Sequence, residues 1–335
     1  MSDKVKLAVV GCGSMGGEHI KAIGRFADAQ VVALVDIRPA AYQQKHKDLL
    51  NNDASVATFD SLDAMLKNPP AGLRGVVIVT PHNLHFEQSV ACLEHGYDVL
   101  VEKPMVTNSA HAQELKKKIE STGRHFQIAF QAPFTQEFAY IRQQIQAGAL
   151  GELQTITAHS CQGWKKICAG TWRHDPKQAG GGQMYDTGAH LFNAITWLVD
   201  RPALEVFCIT DNKGLEVDIN AAMTIRWEGN VLGSVNISAN TPGWQEGILI
   251  AGDKGRIGTG IHGGRIEQWY EKGIVKYPQV TQTHYTPVEN FVACLLGKAQ
   301  PRCPVRYGIL HSWLMDALYA SAREGKPVKL SKPPL

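Results

Sequence analysis

Hydrophobic residues in the first third of the chain come in short, unbroken runs. Residues 5–10, 31–35, 76–79 and 99–101 are nearly free of polar side chains, and amphipathic or polar stretches separate them. An alternating strand has one wet face, whereas a continuous apolar strand is covered on both, so the pattern predicts a parallel sheet with helices on each side. A further strand over 126–130 closes the unit, and right-handed crossovers make it a doubly wound α/β domain spanning 1–130. Beyond 131 the texture changes. Helices are predicted over 136–147, 186–198 and 308–323, and strands over 153–158, 205–210, 221–227, 231–239 and 247–251. Turns such as Glu228-Gly229-Asn230 and Gly252-Asp253-Lys254-Gly255 join consecutive strands by short links, which favours a mainly antiparallel sheet and an α+β second domain over 131–335.

Composition narrows the function. At roughly 150 residues per domain, 335 residues fit two domains. Lys+Arg 34 against Asp+Glu 31 leaves a formal charge of only +3, too little to grip a polyanion, so no nucleic-acid partner is expected. No run approaches the twenty or so apolar residues of a membrane span, and residues 1–10 lack the pattern of a secretory leader. The seven cysteines are scattered, odd in number and without a Cys-x-x-Cys pair, which points to a reducing cytoplasm. His159, Cys161, Cys168 and His174 match no closed zinc spacing, so no metal is expected.

The first run leads at once into Gly11-Cys12-Gly13-Ser14-Met15-Gly16 and then a helix. In that context Gly11 permits a tight turn, Gly13 lets a pyrophosphate approach the backbone, and Gly16 lets the helix sit close to the strand. Amides at the helix start face the anion. Asp36, some twenty residues beyond Gly16 at the end of the second run, is placed to accept hydrogen bonds from an adenosine ribose. It favours NAD, and Arg38 two residues later keeps NADP open.

Candidate chemistry lies in two segments. None of the nine tyrosines has a lysine four residues later, so the Tyr-x-x-x-Lys pair of short-chain dehydrogenases is missing. Lys103, in Glu102-Lys103-Pro104, falls at the carboxyl end of a parallel strand, where open α/β sheets bind ligands, and the proline after it can adopt a cis bond. An amine there can hydrogen-bond a substrate hydroxyl. In Gly180-Gly181-Gly182-Gln183-Met184-Tyr185-Asp186-Thr187-Gly188-Ala189-His190, a helix starting near Tyr185 puts Asp186 and His190 on one face. Their spacing suits a histidine that takes a proton and a carboxylate that orients the substrate or the imidazole.

Taken in order, the glycine turn, Thr80-Pro81-His82-Asn83-Leu84-His85, Glu102-Lys103-Pro104, Trp172-Arg173 and the 180–190 segment resemble the Gfo/Idh/MocA family of dehydrogenases. The resemblance spans nearly the whole chain. It implies an N-terminal Rossmann domain binding NAD or NADP and a C-terminal domain whose large open-faced sheet forms subunit contacts, as homodimer or homotetramer. It implies Lys103, Asp186 and His190 as the catalytic set. Thr80, Pro81, Asn83, His85, Glu102, Ile37 and Gln131 would lie by the cofactor, with Trp172 and Arg173 near the nicotinamide and the substrate. Trp164, Tyr185, His284 and Tyr285 would help shape the substrate pocket. The implied reaction is hydride transfer between nicotinamide and a secondary hydroxyl of a sugar, sugar derivative or cyclitol. Asn193 stands where many members carry an acid three residues after the histidine, which counts against inositol itself. Two alternatives share the motifs. One is a glycosidase using tightly held NAD for transient oxidation and elimination, which would accumulate no net NADH. The other is a non-catalytic NAD(P)-sensing regulator, which has no need of a proton relay.

Overall fold

The computed structural model describes residues 4–280 and 285–335; His284 lies outside the described residues. The described chain divides into two compact units: residues 4–106, 110–129 and 285–305 form the first, and residues 107–109, 130–280 and 306–335 the second.

In the first unit, the continuous apolar runs are strands. β1 (Val5–Val10), β2 (Ala29–Val35), β3 (Ala57–Phe59), β4 (Leu73–Ile78), β5 (Asp98–Val101) and β6 (Phe126–Ile128) are all parallel, in the order β3-β2-β1-β4-β5-β6. The order reverses between β1 and β4, which makes the carboxyl ends of those strands the natural ligand crevice. β1, β4 and β5 are buried over most of their length, as their lack of polar positions requires. β3 was not expected: it is three residues long and not fully buried, so its sequence carries no periodic signal. The connecting helices are α1 (Ser14–Gly24), α2 (Pro39–Leu50), α3 (Leu62–Lys67), α4 (His85–Glu94) and α5 (Ser109–Thr122).

The second unit carries α6 (Gln136–Gln146), α7 (Trp164–Ile167), α8 (Pro176–Ala179) and α9 (Thr187–Val199). Two further helices, α10 (Pro287–Leu295) and α11 (Val305–Glu324), follow near the C-terminus. Its sheet runs through β7 (Leu153–Gln162), β8 (Ala203–Asp211), β9 (Asn220–Trp227), β10 (Val231–Ser238), β11 (Trp244–Gly252), β12 (Gly255–Gly260), β13 (Gly263–Tyr270), β14 (Val275–Lys276) and β15 (Val328–Lys329). The order is β14-β13-β12-β11-β7-β10-β9-β8-β15, antiparallel throughout except where β7 meets β10. Strict alternation of buried and exposed positions along β9 and β10 shows one covered face and one open face. α9 packs against β7 and α6 against β13. α9 is apolar around its circumference and all but Thr187 and His190 of its 13 residues are buried.

The second domain was expected to run from 131 to 335, but α10 packs with the first unit. Val288, Phe291 and Val292 enter the same apolar cluster as Val5, Leu7 and Ile20, and Gln127 Nε2 donates to the Pro287 carbonyl at 2.7 Å. Sequence order gave no hint of that return, because the contacts are made by residues far apart along the chain. Among the described residues no helix is long and apolar enough to cross a membrane.

Candidate active site

The glycine turn of the first unit is built for close approach. Gly11 has φ +98°, and a Cβ there would lie 2.4 Å from the Val79 carbonyl oxygen. A Cβ on Gly16 would lie 2.1 Å from the Gly11 oxygen, so α1 can sit this near β1 only with glycine. Gly13 differs: a Cβ there would meet nothing within 4 Å, which leaves its backbone open to a ligand. α1 then begins at Ser14 with Ser14 and Met15 exposed and no acidic residue in its first turn, so its first amides offer an unopposed anion site. The residues present therefore fit a dinucleotide pyrophosphate. Asp36 is fixed beside the turn: one carboxylate oxygen accepts the Cys12 amide at 2.8 Å, and the other accepts the Arg38 amide at 2.9 Å and Arg38 Nε at 3.3 Å. Ile37 between them is 82% exposed. Burial and the Asp36 charge push the Cys12 thiol up to about 12, so this cysteine is no nucleophile at neutral pH.

A second cluster gathers the ends of β4 and β5. Thr80 Oγ1 donates to Gln88 Oε1 at 2.6 Å, and Asn83 is exposed one turn later. His85 is wholly buried at the start of α4, with Nδ1 2.7 Å from the Pro104 carbonyl and Nε2 2.9 Å from the Thr80 carbonyl. It therefore ties the Thr80-Pro81 turn to the Glu-Lys-Pro turn. Burial pushes its imidazole below the ordinary range, against the pull of those two carbonyls and Glu102. The Lys103–Pro104 bond is cis. Glu102 is buried; one oxygen lies 2.7 Å from His19 Nε2 and the other accepts the Lys103 amide at 3.1 Å. Burial alone would raise the Glu102 carboxyl, but the His19 hydrogen bond and charge, with Lys103, hold it below the usual carboxylate range. His19, on α1 one turn past Gly16, was not singled out in the sequence. Its partner is 83 residues away. Tyr285 also belongs to this unit, where its hydroxyl accepts Asn290 Nδ2 at 3.1 Å and Arg302 lies 4.4 Å over its ring.

In the second unit, α9 begins at Thr187, one residue later than the predicted 186–198, with Asp186 at its N-cap. The carboxylate does not cap the helix. Asp186 Oδ2 instead accepts Trp164 Nε1 at 2.6 Å and Arg173 Nε at 2.9 Å. Trp164 is buried and thus acts as a support for Asp186. The Arg173 guanidinium also lies 4.5 Å over the half-buried ring of Trp172. His190 stands one turn along α9, half-buried, its ring centroid 5.2 Å from that of His262. Gln131, also in this unit, starts the short turn Ala132–Phe134.

Tyr185, expected to line the substrate, packs inward. Its ring stacks on Tyr319 at 5.5 Å and its hydroxyl donates to the Thr107 carbonyl at 2.8 Å. The glycines before it serve close approach. A Cβ on Gly181 would lie 2.1 Å from the Tyr319 hydroxyl, and one on Gly182 would lie 2.0 Å from the Asp218 carbonyl oxygen. Asp218, which no local motif marks, organises this segment: its buried carboxylate accepts the Gly182 amide at 2.7 Å, the Met184 amide at 2.8 Å and the Tyr319 hydroxyl. Burial raises its pKa against these bonds. Among the described residues, no group of three or more His, Cys, Asp or Glu side chains could hold a metal ion.

The two units match two family descriptions. Residues 5–130 match the oxidoreductase family with NAD-binding Rossmann fold, and residues 138–258 the GFO/IDH/MocA C-terminal domain. The chain is 25% identical over 210 residues to D-glucoside 3-dehydrogenase of Escherichia coli (strain K12), covering 61% of this chain and 56% of that protein. It is 31% identical over 160 residues to inositol 2-dehydrogenase of Rhodococcus jostii (strain RHA1), covering 47% and 42%. These matches span about half the length of the curated relatives. Among solved structures, the WlbA dehydrogenase from Bordetella pertussis, in complex with NADH and UDP-GlcNAcA, shares the fold with a TM-score of 0.85 at 24% identity, covering 98% of this chain and 99% of that one. With a dinucleotide turn of the right build in one unit and the family's own C-terminal domain in the other, the chain belongs to the Gfo/Idh/MocA family of oxidoreductases, its first unit an NAD-binding Rossmann fold.

Proposed function

We propose that the protein is a dehydrogenase that moves a hydride between nicotinamide and a secondary hydroxyl of a sugar, sugar derivative or cyclitol. When bound, the nicotinamide supplies the two-electron acceptor or donor. Gly13 and the first amides of α1 hold the pyrophosphate, while Asp36 accepts from the adenosine ribose. Asp36 also disfavours a 2′-phosphate, so NAD is the preferred form over NADP. Thr80, Pro81, Asn83, Gln131, Trp172 and Arg173 complete the cofactor surroundings. In the second unit His190 takes the hydroxyl proton at an imidazole nitrogen and Asp186 holds a neighbouring hydroxyl; Lys103 Nζ, in the first unit, is assigned the polarising or proton-relaying role.

The observation that best supports this reading is the support given to Asp186. A carboxylate at a helix N-cap that gives up capping for an indole N–H and a guanidinium is held for a ligand rather than for the helix. By the same reading the chain assembles as a homodimer or homotetramer through the open face of its nine-stranded sheet, where Ile209 and Leu232 stand exposed.

The test is a panel of hexoses, glycosides and inositols followed at the NADH absorbance band. Net NADH production is expected. Lys103→Ala and His190→Ala should each lower kcat/KM by about 10²–10⁴-fold, the usual worth of acid–base groups, while NADH affinity measured by fluorescence persists. Tight NADH binding with no turnover on any substrate would overturn the proposal in favour of a sensor.

A further inference from the structure

Beside His190 stands a second constellation that the proton-transfer scheme does not use. Glu246 on β11 and His262, at the tip of the turn between β12 and β13, form a close pair. Glu246 Oε2 lies 2.8 Å from His262 Nδ1, and Oε1 accepts the His262 backbone amide at 2.9 Å. The glycine register makes this fit: Gly260 pairs with Gly263 across the hairpin, and a Cβ on Gly260 would come within 3.1 Å of Glu246 Oε1. The carboxylate also accepts Trp244 Nε1 at 3.0 Å. Burial would raise the Glu246 carboxyl, but its bonds to His262 and Trp244 hold it below the usual range, so the acceptor is charged. With Nδ1 committed to Glu246, His262 keeps Nε2 for something else, and its side chain is 37% exposed.

Trp244 is the unusual member. The residue is 54% exposed, yet it is not loose: the N–H edge is pinned to Glu246 and the ring tilts against His262 at 5.5 Å. A large apolar face held still in water, rimmed by a charged carboxylate and an imidazole, matches the two surfaces of a sugar ring: C–H groups on one face, hydroxyls around the edge. Its position is equally telling. His190 to His262 is 5.2 Å between ring centres and His262 to Trp244 is 5.5 Å, each step about the width of one pyranose.

We propose that Trp244, His262 and Glu246 form a subsite for a second sugar ring, so that the substrate is a disaccharide or larger glycoside rather than a free monosaccharide. The ring to be oxidised lies at His190, and the ring glycosidically joined to it stacks on Trp244 with a hydroxyl on His262 Nε2. This rests on the dehydrogenase reading for the role of His190; the subsite itself is a matter of binding and is tested as such.

Calorimetric titration of the NADH-loaded protein with matched pairs, glucose against cellobiose and maltose and galactose against lactose, reads the subsite without turnover. At least one disaccharide is expected to bind about tenfold more tightly than its monosaccharide, the scale of one good aromatic contact. Trp244→Ala should erase that preference, Trp244→Phe should retain part of it, and His262→Ala should reduce it. The pattern of three variants keeps the test sharp even if one of them folds poorly. An equal affinity of the unaltered protein for both members of every pair would overturn the subsite. So would a preference that survives in Trp244→Ala, or a Trp244→Ala variant that changes oligomeric state while keeping its carbohydrate affinities. Disaccharide preference without NAD reduction would leave the subsite standing and remove the dehydrogenase reading. NAD reduction without that preference would do the reverse.

Discussion

At the scale of single residues, the glycine turn shows that the three glycines of one motif are there for two different kinds of reason. Gly11 and Gly16 have no room for a side chain because protein backbone fills the space, whereas Gly13 has room and leaves it for a ligand. The two kinds separate experimentally. Gly11→Ala combines a positive φ with a backbone clash and should lower unfolding stability by about 1–3 kcal/mol or more. Gly13→Ala should keep the thermal transition of the parent protein and lose NADH affinity, as read by fluorescence titration. A Gly13→Ala protein that binds NADH normally would show that the pyrophosphate does not use this turn. Asp36 is a similar case: the sequence placed it by distance from Gly16, but only the structure shows its carboxylate accepting the Cys12 amide.

At the scale of elements, the segment before α9 is a tethered approach to the candidate catalytic helix. Asp218 holds the Gly182 and Met184 amides and the Tyr319 hydroxyl from a distance of many residues. Asp218→Ala would leave those buried donors without an acceptor, at a cost of about 3 kcal/mol or more. Chemical denaturation checks that loss, and kcat should fall with it because the start of α9 moves. The same segment shows what the sequence made legible. β1 was readable to the residue because a strand covered on both faces must be apolar throughout, and the glycine turn, Lys103, Asp186 and His190 could be singled out as candidates because their motifs are local. β12 and β13 were missed since Gly255, Gly258, Gly260, Gly263 and Gly264 dilute any two-residue alternation. Asp218, His19 and Glu246 were missed because nothing in their neighbourhoods in the sequence separates them from surface acids and histidines. Each acquires meaning only from a partner brought in by the fold. Tyr185 differs: it sits inside the same motif, and the structure gives its ring to Tyr319 and its hydroxyl to the Thr107 carbonyl.

At the scale of the whole molecule, charge placement sets a pH limit. Glu102 has its carboxyl held below the unfolded value of 4.5, chiefly by His19 acting against burial. A carboxyl depressed in the fold contributes stability that is present above its unfolded value and lost as pH falls through its folded one. Thermal melts should therefore show a falling transition as the solution is taken below 4.5. Glu102→Gln should be about 1–3 kcal/mol less stable at neutral pH, where a charged hydrogen bond is lost, and its acid limb should be flatter. An unchanged acid limb in that variant would mean that other carboxylates govern acid unfolding.

α9 has a consequence for how such a protein diversifies. His190 is mounted on a helix buried along almost its entire length, while Trp244 at the nearby strand start and His262 at the hairpin tip stand exposed. On the proposed reading, substitutions at those two exposed positions would change which carbohydrate is preferred and leave the helix that carries the candidate proton acceptor as it is.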